Sequence, residues 1–447
     1  MLKLSGSKTP FGHVLIGAAL LLGAPAGASA AEPAAPASLT SMVAVQASGD
    51  LSAYYAHRER PLWVTGEGTL RPAARELLGL IRSAEFDGLD PERLGAVELE
   101  AALTRAERDP SPAALAGAEL ALSSALTGYV EALLRQPATT DMLYEHNVLR
   151  PIQRSAPTVL LAAAEAPSLE DYVSGMRWMH PLYAQIREAA AAEPADPAVR
   201  QAAIASLQRL RDIPAPQWSR HVLVDIASAR LWMYEGDRVV DSMRIVDGKA
   251  DTPTPMMAGY IRQAVLSPYW NVPEHLVRKT IAAGVLSQGV RYLKTRGYQV
   301  LSDWSDEATQ IDPATIDWRA VARGEREVVV RQAPGGTNAM GIVKYEFPNP
   351  QGIYLHDTPD KNLMLEDDRH FSNGCVRLED AARFGQWLLG EALPPPAGSP
   401  EERIDLAQPV PIYITYLTVH PEGDRLALGS DPYGLDGAAH AALARLD

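Results

Sequence analysis

From about residue 40 to residue 212, apolar side chains return every three or four positions. Ala74, Leu77, Leu78 and Ile81 fall at i, i+3, i+4 and i+7, and Leu122, Leu126, Tyr129, Val130 and Leu133 keep nearly the same spacing. That period describes helices with one buried face. Pro110, Pro137, Pro157 and Pro181 mark the breaks between them. Near Pro214 the period becomes alternating. His221-Val222-Leu223-Val224-Asp225-Ile226, then Arg230 to Tyr234, then Arg238 to Val246 with Glu235-Gly236-Asp237 as a turn, predict short antiparallel strands. Helix-like and loop-like sequence returns over 274–323, and strand character again at Glu327 to Arg331 and at Gly352-Ile353-Tyr354-Leu355. The pattern predicts an α+β protein. An all-helical domain spans 40–213, a mostly β domain spans 219–420 with a helical lid-like insertion at 274–323, and a C-terminal tail covers 421–447.

The first 30 residues carry Lys3 and Lys8, an apolar run from Val14 to Ala24, and Ala28-Ser29-Ala30, which together describe a cleavable secretory signal. The run is short for a membrane span, so an uncleaved anchor is the weaker alternative. A Pro/Ala linker follows over 31–39, and a periplasmic location is expected. The formal net charge of −14 argues against nucleic acid and anionic membrane surfaces as partners.

An exported chain meets an oxidising space, yet this one has a single cysteine, Cys375, which has no internal bridge to make. A buried thiol acting as a small apolar group is the bland account. Its surroundings point elsewhere. Ser372-Asn373-Gly374-Cys375 places the thiol after a glycine, where the backbone turns sharply and consecutive N–H groups can cradle an oxyanion. His356 lies upstream, after strand-like sequence, and a polar loop leads back to Phe371, so histidine and thiol can meet as base and nucleophile, with a thiol pKa below the free value. His370 is the rival base, inside the charged loop. Arg377, two positions past the thiol, falls on the same face if a strand leaves the turn. It is either a surface residue paired with Glu379 or Asp380, or a fork for a substrate carboxylate.

Two other chemistries fit less well. His356, Asp357, Asp360, Glu366, Asp367, Asp368 and His370 lack any spacing that organises a metal site, so neither metal nor cofactor is expected. A papain-like arrangement needs a histidine far downstream, and only His420 and His440 follow Cys375.

The stretch from His356 to Ser372-Asn373-Gly374-Cys375-Val376-Arg377 resembles the core of the L,D-transpeptidases of the YkuD family: histidine, spacer, Ser/Thr-His-Gly-Cys, then a hydrophobic residue and Asn or Arg. Asn373 departs from that pattern, standing where histidine is usual. Arg60-Pro61-Leu62-Trp63 and Phe86-Asp87-Gly88-Leu89-Asp90-Pro91 resemble the helical scaffold domain of the large proteobacterial members, and are otherwise ordinary core. Val222 to Gly248, with Lys249 and Thr252-Pro253-Thr254-Pro255, is similar to the opening strands of the family's catalytic domain, and Pro268-Tyr269-Trp270-Asn271-Val272-Pro273 to a signature of the large enzymes. Pro334-Gly335-Gly336-Thr337-Asn338-Ala339-Met340-Gly341 resembles the family's PGxxNALG run beside the site.

The resemblance implies an exported cysteine acyltransferase acting on peptidoglycan stem peptides and acylated by carbapenem-type inhibitors. Cys375 and His356 would be catalytic, Ser372, Asn373 and Gly374 would form the oxyanion turn, and Arg377, Tyr354 and Asn338 would bind substrate. An L,D-carboxypeptidase, an enzyme attaching protein to the wall, and a weakly active wall-binding scaffold remain open alternatives. Arg278, Lys279, Arg291, Lys294 and Arg296 make the insertion basic, either as a solvated face or as a lid whose cations meet peptide carboxylates.

Overall fold

The computed structural model describes residues 38–135, 141–192, 196–215, 218–423 and 425–437. The expected signal peptide, most of the linker and the last ten residues of the expected tail lie outside these. From Leu39 onward the chain forms one compact unit.

Its first half is helical: α1 (Leu39–Gln46), α2 (Asp50–Tyr55), α3 (Ala73–Arg82), α4 (Ala96–Arg108), α5 (Pro112–Leu134), α6 (Ala156–Glu165), α7 (Leu169–Ser174), α8 (Pro181–Ala192) and α9 (Pro197–Leu210). The apolar faces named from the sequence are the buried ones, Ala74, Leu77, Leu78 and Ile81 on α3, and Leu122, Leu126, Tyr129, Val130 and Leu133 on α5. Pro112 opens α5 behind an N-cap, the Ser111 hydroxyl accepting the Ala114 N–H, because proline costs no hydrogen bond at a first turn.

Two buried carboxylates tie these helices together. Glu119 on α5 accepts the N–H groups of Leu62 and Trp63 and the Tyr55 hydroxyl. Asp87 accepts the hydroxyls of Tyr129 and Tyr183 and pairs with Arg187, all nearly dry. The Arg60–Trp63 and Phe86–Pro91 runs are therefore structural knots, since a buried charge persists only when its hydrogen bonds are satisfied.

The half is not all-helical, however. A short strand, β1 (Leu143–Tyr144), leaves it and pairs in parallel with β5 of the second half. That half contains β2 (Arg220–Asp225), β3 (Arg230–Glu235), β4 (Arg238–Gly248), β5 (Met257–Leu266), β6 (Trp270–Asn271), β7 (Tyr298–Leu301), β8 (Val329–Gln332), β9 (Val343–Glu346), β10 (Leu355–His356), β11 (His370–Ser372), β12 (Val376–Leu378), β13 (Glu402–Thr415), β14 (Val419–Glu422) and β15 (Arg425–Leu428). The order β5-β13-β2-β3-β4-β12-β10-β9 returns to β5, so the sheet closes on itself. Closure removes the unpaired edges that an open sheet exposes.

Alternation along the strands explains why both faces of this ring are apolar. Val222 and Val224 join the interior core with Ile412 and Ile414, whereas Leu223, Ala258 and Tyr413 belong to the core shared with the helices. Helical half and ring thus share a continuous apolar seam.

The insertion differs from a purely helical lid. Helical turns run over residues 274–288, 291–295 and 318–323, beside a three-stranded sheet of β6, β8 and β7. It has its own core, including Val277, Ile281, Leu293, Val300, Trp318 and Val330. The stretch expected to be a tail also begins differently. β14 and β15 form a hairpin, and Arg209 of α9 pairs with Asp436 at 2.7 Å.

Candidate active site

The ring sets one row of side chains side by side. Leu355 of β10 lies opposite Val376 of β12 and Tyr345 of β9, all three in the interior core. On the other face, by alternation, His356 stands between Arg377 on β12 and Lys344 on β9. Cys375, immediately before β12, falls on the side of Arg377.

His356 is buried, and its Nδ1 lies 2.5 Å from the Asp357 carbonyl oxygen. A carbonyl only accepts, so Nδ1 carries the proton and Nε2 of the neutral ring keeps its lone pair. Burial pulls the imidazole pKa down to about 4, and the Arg377 cation adds to the shift. Asp357 is fixed in turn. Its carboxylate accepts the Ile342 N–H at 2.9 Å and the Lys361 ammonium at 2.6 Å. Gly341, at φ +62°, passes so close that a Cβ there would lie 2.2 Å from Asp357 Oδ2, which is why the Pro334–Gly341 run ends in glycine.

Cys375 is half-buried, and its Sγ lies 3.7 Å from the Gly352 carbonyl. Burial pushes the thiol pKa up, opposed by the Tyr354 N–H and the Arg377 guanidinium. The expected depressed thiol pKa is therefore corrected. Desolvation disfavours the charged form of each group, which favours a thiol and a neutral imidazole.

The turn before Cys375 is held from inside and behind. Ser372 Oγ donates to the Cys375 carbonyl at 2.6 Å and accepts the Gly374 N–H at 3.0 Å. Gly374 adopts φ +112°, a conformation that favours glycine. Its carbonyl accepts the Thr254 hydroxyl at 2.8 Å, and the Ser372 carbonyl accepts the Lys249 N–H at 3.1 Å and the Thr252 hydroxyl. The Gly374 N–H is thus spent on Ser372, unlike the expectation of a run of free donors. The N–H groups of Asn373 and Cys375 have no partner among the described residues.

The Arg377 side chain has neither an ion pair nor a hydrogen bond among the described residues, although it is largely desolvated and its pKa is lowered by burial. The surface alternative fails because Glu379 pairs with Arg244 and Asp380 lies against Arg383. Lys344 is different. Glu346 at 2.9 Å and Glu401 at 3.2 Å neutralise it, 5.5 Å from the centre of the Tyr354 ring. Among the described residues, Arg377 is therefore a cation beside Cys375 with no direct partner, acted on only at longer range by the Asp360 carboxylate.

Two sequence expectations move elsewhere. Asn338, expected to touch substrate, is fully buried. Its amide donates to the carbonyls of Pro268, Gln332 and Ala333 while its oxygen accepts the Met340 N–H, leaving nothing for a ligand. His370 binds Asp247 at 2.6 Å. The sequence also missed Lys344, Glu346 and Glu401, whose grouping depends on strand register and a return from beyond residue 400. Among the described residues no group of three or more His, Cys, Asp or Glu is placed to hold a metal.

Residues 219–412 match the L,D-transpeptidase catalytic domain, YkuD, and residues 49–189 match the family described as a Scaffold domain. The second half of the chain is thus similar to the L,D-transpeptidase catalytic domain, and the helical half ahead of it to a scaffold domain. A Haemophilus influenzae protein whose name assigns it to the L,D-transpeptidases is 29% identical over 292 residues, 62% of this chain and 57% of that protein. The chain thus spans little more than half the length of this curated relative. Similar solved structures include an L,D-transpeptidase from Mycobacterium smegmatis, at 11% identity and TM-score 0.23 over 44% of this chain and 58% of that one. The Ldtfm–avibactam carbamoyl enzyme matches at 12% identity and TM-score 0.21 over 45% and 51%. L,D-transpeptidase 1 of Mycobacterium tuberculosis matches at 11% and 0.19 over 44% and 60%. Scores this low carry nothing about the site.

Proposed function

We propose that the protein is a periplasmic peptidoglycan L,D-transpeptidase with Cys375 as nucleophile and His356 as base. The observation that carries this is the row itself. His356 has Nδ1 committed to a carbonyl and Nε2 open as a base, on the same face as Cys375, with the unpaired Arg377 acting on both.

In the proposed reaction Sγ of Cys375 attacks the carbonyl carbon of the amide between diaminopimelate and the terminal D-alanine of a donor tetrapeptide, while His356 Nε2 takes the thiol proton. The oxyanion forms beside the Asn373 and Cys375 N–H groups, which supply its hydrogen bonds. Collapse breaks the C–N bond, and His356 returns its proton to the departing amine. An amine of an acceptor stem then attacks the thioester, gives its proton to His356 and releases the thiolate. The resting pair is neutral, so charge separates only as the S–C bond forms. Arg377 would grip a donor carboxylate through two parallel hydrogen bonds.

The test is muropeptide analysis after incubation with defined stem tetrapeptides. Released D-alanine with a cross-linked product, both lost in Cys375→Ala, is the expected result. Release without a cross-link would make the protein an L,D-carboxypeptidase, and no release at all would leave a wall-binding scaffold.

A further inference from the structure

Behind the nucleophile turn lies a buried ionisable pair that these steps do not use. Asp247, at the end of β4, is fully buried, and its Oδ1 lies 2.6 Å from His370 Nδ1 on β11. The two strands run parallel, with His370 opposite Asp247, Ser372 opposite Gly248 and a bulge between them on β11. The Asp247 N–H also donates to the Arg369 carbonyl at 3.1 Å.

The external ties on the turn's Ser372 and Gly374 carbonyls lead back to this segment. Lys249, Thr252 and Thr254 hold the carbonyls of Ser372 and Gly374. Thr254 Oγ1 accepts the Gly248 N–H, and the Tyr433 hydroxyl bridges the Gly248 carbonyl and the Thr254 N–H. Residues 247–254 thus clamp the turn, and the Asp247–His370 contact joins the clamp to the strand that carries Ser372. A buried carboxylate is costly to keep, and Asp247 Oδ2 has no partner among the described residues. Simple packing would be served as well by an apolar pair.

We propose that Asp247 and His370 are positioning residues for acyl transfer, a strut that fixes the Ser372–Cys375 turn from behind and so sets the reach of Cys375. The inference rests on the acyl-transfer reading for its consequence but on the network alone for its geometry. Around the pair, Asp368 lies 3.9 Å from His370 Nε2, the Tyr433 ring centre lies 6.1 Å from that of His370, and Arg369 and Asp225 act on Asp247. A cavity of about 570 Å³, lined by His370, Asp368, Arg369 and His420 among others, gives His370 access to solvent protons. Burial raises Asp247 to about 7, and for His370 the lowering effect of burial is outweighed by the hydrogen-bonded Asp247 carboxylate, so the two titrations are linked. A further proton on Oδ2 would find no acceptor and would weaken the contact.

Two rates are followed across pH in the full mature chain: alkylation of Cys375 by iodoacetamide, which needs no substrate recognition, and acylation by a carbapenem. The imidazole of His370 is followed by NMR over the same range. In the wild type both rates should carry a step at the pH where His370 titrates, besides the thiol's own rise. Asp247→Asn keeps an acceptor for Nδ1–H but removes the charge, so the His370 titration and the step should move down together. Asp247→Ala should slow carbapenem acylation at least about tenfold relative to Asp247→Asn, the scale of one lost positioning contact. A His370 titration that moves while the step stays, or a wild type with no step, overturns the proposal. If the alanine variant fails to fold, the wild type and Asp247→Asn still decide. A protein that shows the step in alkylation but never takes the carbapenem would retire the acyl-transfer reading and leave the strut standing.

Discussion

Arg377→Lys should separate recognition from reactivity. The guanidinium is largely desolvated, unpaired among the described residues, and close enough to Cys375 and His356 to shift both. A hydrogen bond to a charged group contributes about 1.5–3 kcal/mol. Lysine would keep the charge but lose one of the two parallel contacts, and the open side of the site screens part of that. The expected loss is about 1–2 kcal/mol, or about 5–30-fold in kcat/KM for a tetrapeptide donor. Alkylation by a small neutral reagent should hardly change, because the field at the thiol persists. Arg377→Met removes that field as well, so the thiol pKa should rise further, the His356 pKa should climb back, and alkylation at fixed pH should slow. Steady-state kinetics on the donor and iodoacetamide rates on each variant give both readouts. Equal losses in both reactions for Arg377→Lys would show that the arginine holds the turn, and no loss in either would refute the clamp.

Three other outcomes follow from the same structure. With the Cys375 thiol raised and His356 lowered to about 4, alkylation of Cys375 should climb through the alkaline range, and a plateau at mildly acidic pH would reveal a thiolate–imidazolium pair instead. Asn373→His should leave turnover within about tenfold, or about 1.4 kcal/mol in barrier, if that position contributes its backbone N–H, whereas abolished turnover would assign the asparagine side chain a task. His180 and His221, buried with Nε2 atoms 3.2 Å apart where the helices meet β2, both have lowered pKa values, His221 about 4. The unfolded chain therefore binds their protons first as pH drops below about 6.5. Denaturant titrations should show stability falling toward pH ~4 by up to about 1.4 kcal/mol per pH unit for each site, and a double Phe variant that loses just as much would contradict this.

Much of the architecture was legible because period follows burial. The faces of α3 and α5, the change to alternation near residue 214, and the first three strands were visible since each buries a face locally encoded. The closed ring was not visible. It depends on β13 and β9 returning to β5 from far along the chain, and no local pattern records that pairing. The strand β1 in the helical half was missed because two residues carry no period. At the site, Cys375 and His356 stood out by chemistry and by family resemblance. The raised thiol was not foreseeable, since desolvation is a property of the packed site. Asn338 was misassigned for a related reason. Its motif lies near the site in sequence pattern, but the side chain turns inward to satisfy three carbonyls.

The central claim is acyl transfer through Cys375, and the most direct measurement is the intact mass of the mature protein quenched during reaction with a stem tetrapeptide donor. The account predicts a single adduct equal to the donor less D-alanine, carried by the peptide containing Cys375, absent in Cys375→Ala and slow to form in His356→Ala. An adduct that persists in Cys375→Ala, or D-alanine released at an unchanged rate by that variant, would contradict it.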